Sequence, residues 1–96
     1  MIRPEHQRRF EEALASKAPF KSLCRLAEAL RDEGVSQIEV YFLFGSYQEK
    51  ILDSDPLYDA VVDTMDEIHG GPWAKGGGFF STVLTDEQIQ AERRKT

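Results

Sequence analysis

Apolar residues recur along this chain at steps of three and four, the spacing of helix faces, and polar residues fill the positions between them. From Pro4 to about Ser16, Phe10, Ala13 and Leu14 make a thin stripe on one face. Pro4 suits the first helical position, because the amide it lacks has no partner there. A second helix is predicted from Pro19 to Gly34. Phe20, Leu23, Ala27 and Leu30 form its core side, Cys24 and Leu26 its edges, and Lys21, Arg25, Glu28 and Asp32 its opposite side. Gly34 fits the left-handed position that closes many helices.

Between Val35 and Leu52 periodicity and propensity disagree. Ile38–Phe44 is rich in strand-favouring residues, and a buried strand at 38–44 is the alternative reading. Against a strand stands Ser36-Gln37-Ile38-Glu39, a capping box in which the serine oxygen accepts from the amide three residues on. Val35 and Val40 hold the two positions of a hydrophobic staple, and Val40, Phe44, Tyr47 and Ile51 continue at helical spacing. Helix is the favoured reading. Such a helix is apolar nearly all round, with only Glu39, Ser46 and Lys50 as a polar stripe, so it belongs either at the centre of a bundle or in a contact between two copies. Gly45 within it allows a close helix crossing.

Asp53-Ser54-Asp55-Pro56 is a stop and a restart, with Ser54 or Asp55 as cap and Pro56 in the first turn of a fourth helix. Leu57, Val61, Met65 and Ile68 form its apolar side, joined by Tyr58 and Val62, and Gly70 or Gly71 ends it. Residues 70–84 then read as an irregular Gly-rich and aromatic segment, in which Trp73 is expected to fold back onto the bundle and Lys75–Gly78 to form a flexible turn. Thr85-Asp86-Glu87-Gln88 is a second capping box opening a short helix, and residues 92–96 are expected to fray. The resulting expectation is one all-α domain over residues 1–96. It is a small four-helix bundle-like domain with a Gly-rich loop and a short C-terminal helix, the alternative being α+β with the 38–44 strand.

Composition refines this picture. The chain is 41% hydrophobic and 30% charged, as in ordinary globular proteins. The net charge of −5 is unevenly spread: +3 over residues 1–25, −10 over 26–90 and +2 over 91–96. An acidic body argues against nucleic acid and against an anionic membrane surface, so neither is expected as a partner, and the basic ends are read as solvated. No apolar run approaches the length of a membrane span, and Met1–Gln7 has no apolar stretch behind its first charges, so a cytoplasmic setting is expected. The single cysteine, Cys24, removes any disulfide framework and any cysteine-cluster zinc site.

Catalytic chemistry has little to build on. Cys24 with His6 or His69 is the one conceivable nucleophile–base set, and it depends wholly on the fold. Cys24 lies beside an apolar stripe, His6 shares a face with Phe10, and His69 sits where a helix dipole favours an imidazolium. The Lys75-Gly76-Gly77-Gly78 order is the reverse of a phosphate-binding loop, and neither a His-x-x-x-His nor a calcium-loop spacing occurs. No catalytic residue, cofactor or metal is therefore expected.

The feature left standing is an acidic belt. Glu49 to Glu67 holds seven acids and one lysine, and on the fourth helix Asp59, Asp63, Asp66 and Glu67 project together, with Asp55 at its start. An ordinary solvated face explains this without function. As function, it reads as a docking surface for a basic protein, because complementary fields speed encounter and select the partner. The sequence thus points to a non-catalytic interaction module binding through Asp55, Asp59, Asp63, Asp66 and Glu67, for example an inhibitor or immunity-type protein covering a cationic cleft. The alternatives are a homodimer joined by the aromatic-rich third helix and, behind it, a small enzyme using Cys24, His6 or His69.

Overall fold

Among the described residues five helices succeed one another: α1 (Pro4–Leu14), α2 (Pro19–Asp32), α3 (Gln37–Gln48), α4 (Pro56–His69) and α5 (Asp86–Arg94). The computed structural model describes residues 3–52, 54–70, 79–80 and 83–94, and among them there is no strand. The all-α bundle expected from periodicity is what forms. The 38–44 strand alternative is overturned: those residues are the body of α3. Ser36 is the reason, because its Oγ accepts from the Glu39 amide at 3.3 Å and starts the helix.

The boundaries follow local chemistry. α1 and α2 both begin on a proline. α1 stops at Leu14, short of the expected Ser16, where the Ser16 hydroxyl donates to the Ala13 carbonyl at 2.7 Å and also bonds the Ser22 hydroxyl of α2 at 2.7 Å. Past α2, Gly34 takes φ +90°, and Gly34 N donates to Arg31 O while Val35 N donates to Leu30 O. This is the paired closure of a Schellman motif.

At the end of α4 the last four carbonyls are all satisfied. Gly70, at φ +77°, donates to Asp66 O; Phe79 N donates to Glu67 O; Gln37 Nε2 donates to Ile68 O at 2.8 Å; and Leu84 N donates to His69 O. Helix ends leave these groups without internal partners, so Phe79 and Leu84 are held at the end of α4 by backbone hydrogen bonds. Arg31 adds a clamp, its Nη1 donating to Phe79 O at 2.8 Å.

The core lies where α1, α2, α3 and α4 meet, with Phe10, Leu23, Leu30, Val40, Phe44, Val61 and Ile68 wholly buried. Phe10 is its aromatic centre, edge-on to Phe44 (centroids 4.7 Å apart) and stacked on Tyr47 (4.3 Å). α3 touches each of the other four helices, which accounts for its apolar character on nearly every side.

Two core expectations need correction. Phe20 stands 45% exposed at the first turn of α2, and Leu26 takes its place, one step from Leu23 and one from Leu30. Gly45 does not serve a close backbone crossing: a Cβ there would meet only the tip of Met65, at 3.6 Å. The expectations for Trp73, for the Lys75–Gly78 turn and for the last two residues of the tail lie outside the described residues.

α5 is held by its own start. Gln88 N donates to Thr85 Oγ1 at 3.1 Å and Thr85 N donates to Gln88 Oε1 at 2.9 Å, so the second capping box closes in both directions. Leu84 and Ile89 flank it, 3% and 9% exposed, in the two positions of a hydrophobic staple.

Candidate functional site

The five acids singled out by sequence meet different fates on α4. Asp55 is its cap, with Oδ1 accepting from the Leu57 amide at 2.9 Å. Asp59 and Asp63 stand exposed, one turn apart, and no ion pair among the described residues engages either. Asp66 continues their line but is half-buried. Burial pushes its carboxyl above the ordinary value, with the charges of Asp63 and Glu67 adding and His69 opposing. Glu67, next to Asp66, is half-buried, and its charge bears both on Asp66 and on Cys24 of α2. Helical spacing thus sets Asp59, Asp63, Asp66 and Glu67 along one side of α4, with Asp55 at its head as a structural cap.

Cys24, His6 and His69 occupy three different surroundings. Cys24 is half-buried against α4, and burial raises its thiol above the ordinary range, against a hydrogen bond with Thr64. Such a thiol is neutral and weakly nucleophilic at neutral pH. His6 is buried on α1, close enough to Glu33 to favour that carboxylate. His69 lies edge-on to Tyr41, centroids 5.9 Å apart. Among the described residues no group of three or more His, Cys, Asp and Glu side chains is placed to hold a metal ion.

A groove of about 380 Å³ runs along the outer face of α3. Tyr41, Phe42, Gly45 and Glu49 line it from α3, Met65 from α4 and Arg93 from α5. Two polar neighbours in the wall are already engaged. Ser46 Oγ donates to Leu43 O at 2.7 Å, and Gln48 Nε2 donates to the Tyr58 hydroxyl at 3.3 Å. Burial raises the Tyr41 phenol, Asp66 and Asp86 push the same way, and Arg93 opposes them. The wall itself carries one carboxylate, Glu49, and one guanidinium, Arg93. Sequence reading missed the groove because Arg93 meets α3 only through the packing of α5 against it. Gly45 was the one visible signal, an unexplained glycine in an apolar helix.

No family model, no curated protein and no solved structure matches this chain. Among the described residues no helix is long and apolar enough to cross a membrane.

Proposed function

We propose that this protein is a non-catalytic interaction module that docks on a basic protein through the carboxylate stripe of α4. An inhibitor or immunity-type protein covering a cationic cleft is the concrete form. The observation that carries the reading is the alignment of exposed Asp59 and Asp63 with Asp66, a carboxyl whose ionised form burial and its neighbours disfavour. An incoming cation relieves that crowding, so binding and charge neutralisation reinforce each other. The stripe lies on a regular helix packed against α2 and α3, which fixes its geometry before the partner arrives. The reading sets the protein in the cytoplasm, where a lone thiol such as Cys24 stays reduced.

The test is affinity capture at low salt, comparing the natural chain with a double charge reversal, Asp59→Lys and Asp63→Lys. Basic proteins held by the former and released by the latter support the reading. An undiminished set of captured proteins overturns it.

A homodimer joined across α3 is the second reading, supported by the half-buried Tyr41 and Phe42 on its outer face. Light scattering on a sized column distinguishes it, since a monomer at high concentration removes it.

A further inference from the structure

α3 carries more apolar surface than the bundle covers. Val40, Leu43 and Phe44 are buried in the core, yet Ile38, Tyr41 and Phe42 stay half-buried, and the last two line the groove. Gly45, in the same groove, lies in regular helix without positive φ, and an added Cβ would make only ordinary contact, 3.6 Å from the Met65 methyl. The backbone does not need this glycine, and glycine weakens a helix interior relative to alanine. What the missing side chain provides is room beside the Tyr41 and Phe42 rings, which stand at 88° with centroids 6.1 Å apart.

The charge in the wall is balanced. It holds one carboxylate, Glu49, and one guanidinium, Arg93, both on exposed residues. A patch with one charge of each sign complements a copy of itself turned about a two-fold axis, because each carboxylate then meets the other copy's guanidinium and the pair forms twice. A partner of a single charge sign gains from one of the two groups and is repelled by the other.

We infer that the groove is a two-fold contact between two copies of this chain, in which Glu49 of each pairs with Arg93 of the other and each Phe42 ring fills the space over the other's Gly45. This rests on the homodimer reading above and names its register and its selecting charges. Ring and gap lie one turn apart on α3, so a single antiparallel register seats both rings at once. That register sets Glu49 opposite Ile38 of the second copy, one turn from the Tyr41 that shares the groove with Arg93. Asp59 and Asp63 are not among the groove residues, so the contact leaves them open on α4.

Sedimentation equilibrium of the full chain, with Glu49→Arg and Arg93→Glu alone, mixed and combined, tests this. The natural chain should form a dimer. Each single reversal sets like charges face to face twice in that dimer and should raise its dissociation constant about tenfold. Mixed in equal amounts, the two single variants should regain the natural dissociation constant, since one copy then carries two guanidinium groups and the other two carboxylates. The double variant should regain it as well. Recovery in the double variant without recovery in the mixture places the pair within one copy and overturns the proposal, as does a dimer indifferent to both reversals. Gly45→Leu blocks the space for the Phe42 ring and should leave monomers; a dimer of natural strength overturns the register. Both charged residues are exposed, and recovery in the mixture itself reports folded chains, so the test does not hang on Gly45→Leu. If Phe42→Asp separates a dimer that the charge reversals leave untouched, the α3 homodimer stands and the charge pairing fails. A natural chain that stays monomeric at high concentration removes both.

Discussion

Arg9 and Glu33 form a bidentate ion pair, Nη1 to Oε1 at 2.8 Å and Nη2 to Oε2 at 2.7 Å, fastening the middle of α1 to the residue that closes α2. The hydrogen bonds from Arg9 hold the Glu33 carboxyl below its ordinary value of 4.5, with smaller help from the charges of Arg9 and His6. A carboxyl depressed in the folded state contributes stability that is fully present above the unfolded value and lost as pH falls through the folded one. Glu33→Gln should therefore lower the thermal midpoint at neutral pH and flatten its decline below about pH 4.5. Thermal unfolding of both chains across pH 2 to 7 checks this, and parallel curves would show that the pair contributes nothing.

Gln37 is the partner of a carbonyl that no backbone amide among the described residues reaches. Its Nε2 donates to Ile68 O at 2.8 Å and approaches His69 O at 3.5 Å, tying the first turn of α3 to the last turn of α4. Gln37→Ala should cost about 1–2 kcal/mol in urea denaturation, the penalty of stranding a partly buried acceptor. His69 O keeps its bond from Leu84 N, so the return of the chain should survive and the loss should stay local. An unchanged urea midpoint would show that water replaces the side chain without cost.

Two phenylalanines of similar standing in the sequence should behave oppositely. Phe10→Ala removes a fully buried ring that stacks on Tyr47 and meets Phe44, and should cost about 3–5 kcal/mol. Phe20→Ala removes a side chain 45% exposed and should cost under about 1 kcal/mol. Equal losses in denaturant titrations would contradict the placement of Phe20 at the rim.

The contrast marks what the sequence disclosed. Helix starts were legible wherever a side chain supplies the missing partner: Ser36, Asp55 and Thr85 each accept the amide hydrogen bond their position implies. Helix ends were legible wherever the backbone must turn left-handed, at Gly34 and Gly70. Which flank of an amphipathic helix is covered was less legible, because that depends on where neighbouring helices lie. Phe20 and Leu26 accordingly exchanged places. The acidic belt was visible as composition, but its division was not. Asp59 and Asp63 stand exposed while Asp66 and Glu67 are half-buried, a split that depends on how α4 packs, whereas the cap at Asp55 was legible from local spacing. Apart from Gly45 the groove was hidden, since its walls form only where α3, α4 and α5 pack together.

Asp66 joins stability to the proposed docking. Its carboxyl is raised above the ordinary value of 3.8, first by burial and then by Asp63 and Glu67. The folded state therefore resists ionising it, so the native fold loses stability as pH rises from 3.8 through the raised value and carries the whole penalty beyond. Asp66→Asn should raise the thermal midpoint at neutral pH and lose its advantage once the Asp66 carboxyl of the natural chain is protonated in both folded and unfolded states, below about pH 3.8. The same change removes one charge from the α4 stripe, so binding of a lysine-rich peptide should weaken while the fold gains stability. That opposition is what a binding residue held at a cost to the fold should display. A variant that is more stable and binds equally well would place Asp66 outside the docking surface. One that is less stable would mean that the carboxylate is held by favourable bonds outweighing the burial of its charge.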